Sequence, residues 1–461
     1  MGTTRTGTGR HAGGVRWLLA VVGLLAGTLS LAAAATAPAP AAALGDSGLA
    51  SITVGGSHAC GITAGGAAKC WGFNSIGQLG NGTTTDSASP VQVEGLTSGV
   101  TAIAAGNTTT CAVVSGAVKC WGNNGVGQLG NGSTTSSSVP VDVTGLGGGA
   151  TGITVGISHA CAIASGAAKC WGLDGGRLGT GSAAEASTVP VQVSGLAASV
   201  TGISAADQHT CAVVAGAAKC WGANGSGQLG NNALASSASP VQVVGLTSGV
   251  TAISVGSANT CAVVHGAVKC WGANQSAQLG NVTDPAVRST SLVPVDVQGI
   301  SSGATAVAVG YSHACAVVSG AAKCWGYSGG HLGDGSRGAP TVALQPVAVS
   351  GLSEGVRQIS ASSQALGGSN TCALVDGEAY CWGPSNTVGQ RATAWAPSPW
   401  HRCRSSAPGR RRRTCRSARV TRARSSRVAP GAGEATRRAS SVTGRRSRRP
   451  ARCRFRASGR G

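Results

Sequence analysis

Cys111-Ala-Val-Val-Ser-Gly-Ala-Val-Lys-Cys120-Trp121-Gly122 is a segment that the chain repeats, with small changes, seven times. Short runs of Ala and Val flank Ser115-Gly116, and a two-residue connection with glycine between such runs predicts a β-hairpin. Counting outward from the turn places Cys111 directly opposite Cys120. This is a non-hydrogen-bonded position of the antiparallel pair, where Cα atoms lie about 4.5 Å apart and within reach of a disulfide.

The other copies have the same pair of cysteines. Only the first copy has one more residue between them, and Ala64-Gly65-Gly66 there predicts a three-residue loop that restores the opposition. The alternative is zinc, but zinc sites usually have Cys-x2-4-Cys pairs, and opposed strand positions would supply only two ligands for each hairpin. We therefore predict seven disulfides within the hairpins: Cys60 with Cys70, Cys111 with Cys120, Cys161 with Cys170, Cys211 with Cys220, Cys261 with Cys270, Cys315 with Cys324 and Cys372 with Cys381. Cys403, Cys415 and Cys453 lie outside the pattern.

The hairpins follow one another with a regular period. Their first cysteines are separated by steps of 51, 50, 50, 50, 54 and 57 residues. Each period also contains a strand-like Pro-Val piece such as Pro90-Val91-Gln92-Val93 and a second one such as residues 100–104. Four short antiparallel strands in each of seven units predict an all-β, seven-bladed β-propeller. One tryptophan per hairpin supplies the large buried side chain that the small strand residues lack.

A glycine-rich loop follows each hairpin, and its residues carry a family resemblance. The order Gly-x-x-His-x-Cys-Ala-Val, Gly-x-Val-Lys-Cys-Trp-Gly, Asn-x-x-Gly-Gln-Leu-Gly resembles the RCC1 (regulator of chromosome condensation) repeat. Gly77-Gln78-Leu79-Gly80 and residues 127–130 and 227–230 match the last part well. The resemblance covers residues 51–390 and implies a seven-bladed propeller. The cysteine pairs are similar to those of exported bacterial relatives and depart from the intracellular members.

The net charge of +21 is unevenly distributed. After Gln390 there are 22 arginines and one acidic residue, so the first 390 residues have 13 basic and 13 acidic residues. A neutral repeat region lacks the basic surface that nucleic acids require, and we expect no specific nucleic-acid binding.

The N-terminus has the features of a secretory signal peptide, which we place at residues 1–43. Arg5, Arg10 and Arg16 precede an apolar run from Trp17 to Leu31, and a small-residue stretch follows. The alternative, a membrane anchor, would need a longer apolar run. We expect a secreted, extracellular protein that is associated with the cell surface or free, because disulfides persist in oxidising compartments. We expect no transmembrane span in the mature chain.

Two side chains recur around the predicted ring. His58, His159, His209 and His313 stand two residues before the first cysteine of their hairpins, with Thr109, Asn259 and Asn370 in the other copies. They could bind a metal or titrate near neutral pH, but a capping or hydrogen-bonding role within one blade suits the replacements better. A ring of lysines also recurs, and we expect it to form a solvated blade edge rather than a binding site for an anionic partner. It consists of Lys69, Lys119, Lys169, Lys219, Lys269 and Lys323, with Tyr380 in the last copy.

The sequence favours a non-catalytic binding protein. Neither His-Glu-x-x-His nor a Gly-Lys-Ser/Thr phosphate loop occurs, and no carboxylate pair recurs. We predict no enzyme activity, no cofactor and no metal site. The chain is expected to be a monomeric scaffold for an unknown protein or cell-surface ligand. The alternative is a regulator of a partner, since the resemblance implies nucleotide exchange on a small GTPase or, for an exported relative, inhibition of a β-lactamase.

The arginine-rich segment 391–461 is expected to be a disordered, out-of-frame tail. The last copy proceeds normally to Gly389-Gln390, and repeat character then ends. A shifted reading frame permits the Gly-Asp-Gly-Val and Pro-Val continuation that the repeat requires. The alternative is a basic tail that binds an anionic surface. Six Pro-Val strands for seven hairpins predict an incompletely closed ring, with only three strands in the first blade.

Overall fold

A computed structural model describes residues 48–282, 288–336, 342–363 and 369–384. Within these ranges the chain forms 27 β-strands in seven antiparallel sheets. No helix capable of crossing a membrane is found among the described residues. The predicted signal peptide, the tail and the last three cysteines lie outside these ranges, so the predictions about them remain predictions.

Each sheet is one blade of a seven-bladed β-propeller, and its strands pair in chain order. The first three blades consist of β1 (Leu49–Val54), β2 (His58–Thr63), β3 (Ala68–Gly72) and β4 (Ser87–Gln92); β5 (Val100–Ala105), β6 (Thr109–Val114), β7 (Ala117–Gly122) and β8 (Ser137–Asp142); and β9 (Ala150–Val155), β10 (His159–Ala164), β11 (Ala167–Leu173) and β12 (Ala186–Gln192). The fourth and fifth consist of β13 (Val200–Ala205), β14 (His209–Val214), β15 (Ala217–Gly222) and β16 (Ser237–Gln242); and β17 (Val250–Val255), β18 (Asn259–Val264), β19 (Ala267–Gly272) and β20 (Ser291–Asp296). The sixth and seventh consist of β21 (Ala304–Val309), β22 (His313–Val318), β23 (Ala321–Tyr327) and β24 (Val342–Ala348); and β25 (Val356–Ala361), β26 (Thr371–Val375) and β27 (Glu378–Trp382).

The first strand of every blade lies at the propeller axis. Residues from all seven of these inner strands line one central cavity of about 150 Å³, among them Thr53, Thr154 and Ser360. The hairpin follows outward, and the Pro-Val strand is the outermost. This order fits the sequence, since Pro lacks an N–H group and is tolerated at a sheet edge.

The hairpins have the predicted register. Cys111 pairs with Cys120 across β6 and β7. The extra residue of the first hairpin is absorbed by a loop at residues 64–66, which leaves Cys60 opposite Cys70. Ser115 and Gly116 both have positive φ, at 50° and 84°, as the two central residues of a type I′ turn require.

A disulfide links the two strands of every hairpin. The Cα atoms of each linked pair lie 4.0–4.1 Å apart, closer than in an unlinked pair. The bonds join Cys60 to Cys70, Cys111 to Cys120, Cys161 to Cys170, Cys211 to Cys220, Cys261 to Cys270, Cys315 to Cys324 and Cys372 to Cys381. Every hairpin is therefore closed on itself, and none of these seven bonds connects two blades.

The core lies between blades rather than within them. Trp121 of the second blade packs against Cys60, Cys70 and Leu79 of the first, and the same contact recurs around the ring. The glycine after that leucine is required, because a Cβ at Gly80 would lie 2.6 Å from Trp121 Nε1. Its φ of +69° also favours glycine.

The first blade has four strands, so the prediction that it has only three was wrong. β4 pairs with β3 and completes it, because each Pro-Val strand belongs to the hairpin that precedes it. The described part of the seventh blade has three strands. The ring nevertheless closes through side chains: Trp71 of the first blade packs against Cys372, Leu374 and Ala379 of the seventh.

Candidate binding face

One end of the propeller has the long loops between the third and outer strands of the first six blades, and we call it the loop face. It also has the short connections between the first two strands of the blades, while the hairpin turns lie at the other end. In the first, second and fourth blades one buried asparagine organises the long loop. In the second blade Asn124 Oδ1 accepts from Leu129 N at 2.8 Å, and its Nδ2 donates to the carbonyls of Ser133 and Thr135 at 3.0 Å. Asn74 and Asn224 make the same bonds. These loops are therefore held by internal hydrogen bonds despite their glycine content.

Seven equivalent positions surround the axis at the loop face, each in the turn after an inner strand. We call them the mouth ring: Gly56, Asn107, Ile157, Asp207, Ser257, Tyr311 and Ser363. Their main chain is joined from blade to blade, since Gly56 N, Ile157 N and Tyr311 N donate to Gly106, Ala206 and Ser362 of the next blade at 3.0, 3.0 and 3.2 Å. One repeated backbone thus presents seven positions on which almost every side chain differs.

The mouth ring is chemically asymmetric. Tyr311 is 45% exposed, more than the other described aromatic side chains. Ile157 is partly buried, and Asp207 accepts a hydrogen bond from Ser257 at 3.3 Å on the neighbouring blade. The Arg177 guanidinium donates to the main-chain carbonyl of Asp207 at 3.2 Å. An aromatic, an aliphatic and a charged group therefore lie on one face.

The recurring histidines lie inside the blade interfaces. His159 Nε2 contacts Thr210 Oγ1 of the next blade at 2.9 Å, and His58, His209 and His313 make equivalent contacts with Thr110, Thr260 and Thr371. Because the hydroxyl of Thr210 donates to the Arg177 carbonyl, the imidazole Nε2 carries the hydrogen and donates to the threonine. The expectation of a bond within one blade was therefore wrong, because the partner belongs to the neighbouring blade.

These histidines stay neutral at physiological pH. Burial lowers the pKa of His58 to about 4 and the pKa values of His159, His209 and His313 to about 3. They connect blades and do not sense neutral pH. Among the described residues no group of three His, Cys, Asp or Glu side chains is arranged to hold a metal ion.

The lysine ring lies on the third strands, one side chain in each of six blades. Lys119 Nζ pairs with Asp142 Oδ1 of its own blade at 2.6 Å, and Lys269 pairs with Asp296 at the same distance. The side chains of Lys119 and Lys269 are only 30% and 29% exposed. The lysines are therefore partly covered by the outer strands rather than gathered at one surface.

Sequence reasoning missed the buried loop asparagines and the partners of the histidines. Both had a signal. Asn recurs at positions 74, 124, 224 and 274. When the residue two positions before the first cysteine of a repeat is His, the next repeat has Thr directly before its own first cysteine. When that residue is Thr or Asn, the next repeat has Ala directly before its first cysteine.

Comparisons with known proteins agree with this geometry. The sequence model described as "Regulator of chromosome condensation (RCC1) repeat" matches residues 70–113, 115–163, 170–213, 219–263 and 265–317, about half of the chain. Among solved structures, human WBSCR16 aligns with a TM-score of 0.60 at 18% identity, over 71% of this chain and 86% of that one. Yeast RCC1 (Prp20), solved with Kap60 bound, aligns with a TM-score of 0.59 at 19% identity, over 74% of this chain and 82% of that one. No curated protein sequence matches the chain.

The fold and the interblade contacts thus define a seven-bladed propeller with one loop face. The chain belongs to the RCC1 repeat family.

Proposed function

We propose that this protein is an exported, non-catalytic scaffold that binds a partner protein through the mouth ring. The supporting observation is that the residues that build the repeats recur, whereas the side chains of the mouth ring differ from blade to blade. The repeats maintain the cysteines, the tryptophan and the loop geometry, whereas the mouth ring presents Ile157, Asp207 and Tyr311 on equivalent backbone. Aromatic anchors with neighbouring polar groups are typical of protein interfaces.

Export is supported by the cysteine chemistry. Seven disulfides within one chain suit an oxidising compartment, where such bonds persist. The apolar run from Trp17 to Leu31 after three arginines adds a sequence signal for secretion.

A second candidate is regulation of a partner's activity. Yeast Prp20p, solved in a study of its binding properties to Gsp1p and histones, aligns with a TM-score of 0.57 over 75% of this chain and 84% of that one. Its identity of 18% supports the fold alone. An extracellular location favours an extracellular enzyme as the regulated partner over an intracellular GTPase. The neutral charge of the first 390 residues argues against nucleic acid.

The test uses the full-length secreted protein and two matched variants. Tyr311→Asp changes the exposed aromatic of the mouth ring, and Val244→Asp changes a residue of nearly equal exposure, 46%, in the connection that follows the outer strand β16. Binding is measured to a β-lactamase, to a small GTPase and to cell-wall glycan. We expect binding to a protein that weakens at least about tenfold in Tyr311→Asp and is unchanged in Val244→Asp. Binding to glycan alone, or equal loss in both variants, would contradict the proposal.

A further inference from the structure

Among the described residues, the third strand of the seventh blade, β27, has an open edge. Within the described residues β27 pairs only with β26, whereas the third strand of every other blade is paired on both sides. Cys372 opposes Cys381 at a non-hydrogen-bonded position, as in the other hairpins. Because pairs alternate along an antiparallel ladder, the N–H and C=O groups of Ala379 and Cys381 point away from β26 and toward the open edge.

The other six blades define what fits such an edge. In the second blade Cys120 pairs with Val141, Lys119 pairs with Asp142, and Val143 N donates to Val118 O at 3.0 Å. Five of the six outer strands share Ser at the first position, Pro at the fourth and Val at the fifth: residues 87–92, 137–142, 187–192, 237–242 and 291–296. The sixth, residues 343–348, keeps the Pro and the Val.

The preceding blade contributes a second contact to each outer strand. Gly82 N donates to Ser138 O at 3.0 Å, and Gly132 N donates to Thr188 O at 2.9 Å. Gly335 occupies the same position in the sixth blade. It lines a cavity of about 470 Å³ together with Gly333, Ser350 and Trp382. Main-chain donors from two blades therefore converge on one groove.

Trp382, which lines this cavity, is more exposed than the equivalent tryptophans of the other blades. The first six hairpin tryptophans are fully buried at 0%, whereas Trp382 is only partly buried although its Nε1 still donates to His331 O at 2.7 Å. Cys381 is likewise less buried than its equivalents. In the complete blades the fifth-position valine packs against the cluster that contains the disulfide, as Val141 does. The apolar surface that this valine covers elsewhere remains accessible beside Cys381.

We propose that the open edge of β27 binds an extended segment of a partner protein with the pattern Ser-x-x-Pro-Val, which adds as an antiparallel fourth strand. The valine would cover the disulfide region, and the carbonyl of the second residue would accept from Gly335 N. The proline would remove one of the outward-facing N–H groups, which makes the added strand a poorer template for a further strand. This site lies at the rim of the propeller and does not depend on the mouth ring.

The experiment uses the full-length protein and a fluorescent peptide with the sequence of residues 135–144, Thr-Ser-Ser-Ser-Val-Pro-Val-Asp-Val-Thr. Two peptides with one N-methyl group each provide the matched control. The amide at the position of Val141 faces the acceptor strand, and the amide at the position of Asp142 faces away. We expect methylation at the valine to weaken binding about tenfold or more and methylation at the aspartate to change it little. We also expect the amides of Ala379 and Cys381 to exchange more slowly when the peptide is bound.

Three results would overturn the proposal. The first is no binding with rapidly exchanging amides at Ala379 and Cys381. The second is protection of these amides in the free protein, because another part of the chain would then occupy the edge. The third is equal binding of the two methylated peptides, because the peptide would then not be added as a strand.

Discussion

The side chain of Gln358 bonds both main-chain groups of Ile52, which lies 306 positions earlier in the chain. Its Nε2 donates to the Ile52 carbonyl and its Oε1 accepts from the Ile52 amide, each at 3.0 Å. The equivalent residues of the other repeats are short: Ser51, Ala102, Gly152, Gly202, Ala252 and Ala306. Gln358 therefore joins the first and last blades at the one interface where the chain itself does not continue.

Gln358→Ala should loosen this interface specifically. Loss of two partly buried hydrogen bonds should lower the free energy of unfolding by about 1–3 kcal/mol and speed hydrogen exchange at Ile52. Denaturant titration and exchange measured by mass spectrometry check both effects. Arg357→Ala is the control, because this neighbouring side chain is 76% exposed. Equal effects of the two substitutions would show that Gln358 has no special role.

A belt of hydroxyl groups links the inner strands and can be extended. Thr154 Oγ1 accepts from Ala205 N of the next blade at 3.0 Å, and Ser360 Oγ accepts from Val54 N at 3.1 Å. Ala104 occupies the equivalent position next to Val155. Ala104→Ser should add a bond to the Val155 amide and raise the free energy of unfolding by about 0.5–1.5 kcal/mol. Thr154→Ala should lower it by a similar amount. Denaturant midpoints give both values, and an unchanged Ala104→Ser midpoint would count against the belt.

His159 and Thr210 should be energetically coupled. Either His159→Asn or Thr210→Ala alone should destabilise the protein, because one buried group loses its partner. The double variant has the Asn/Ala pair that the chain itself uses at Asn259 and Ala314, and it should recover part of the loss. We expect a coupling energy of about 1 kcal/mol from a double-mutant cycle. Additive effects would show that the two side chains do not act together.

The buried histidines should make stability decline in acid. Their pKa values fall from 6.5 to about 3–4 on folding, so the unfolded chain binds more protons between these limits. Their contribution is complete above pH 6.5 and is lost as the pH falls toward the folded pKa. His209→Asn should reduce the number of protons that the chain takes up on unfolding by about one. Unfolding midpoints from about pH 3 to 8 test this, and imidazole NMR signals that titrate near the ordinary histidine pKa of about 6.5 would refute it.

The disulfides should appear in unreduced peptide maps as seven pairs within the hairpins. Each closes a loop of about ten residues, so removal of one by Cys161→Ala with Cys170→Ala should cost about 2–3 kcal/mol. Free thiols or links between repeats would show that the register inferred from the hairpins is not the oxidised state.

Features of the fold that recur in every repeat could be predicted from the sequence, and features that occur once could not. Ser115-Gly116 and the spacing of Cys111 and Cys120 were enough for the hairpin and its register, and the period was enough for seven blades. Gln358 could not be recognised, because a single glutamine in one repeat has no pattern. The assignment of the Pro-Val strands failed for the first blade, because sequence order does not reveal which hairpin an intervening strand joins.

The histidine partners illustrate a different limit. A side chain at His159 and one at Thr210 are 51 positions apart, and only the packing of adjacent blades brings them together. Their covariation among repeats was visible, but it gains a meaning only when each blade is known to contact the one that follows it.

Every described blade is built from one stretch of chain, since residues 49–92 alone form the first sheet. Among the described strands, none from one end of the chain joins a sheet at the other end. A genetic exchange between two repeats would therefore remove or add a unit of about 50 codons, the length of one repeat, without cutting any of these sheets. The number of blades is free to change in a single recombination event, provided that the residue at the position of Gln358 still reaches the first blade.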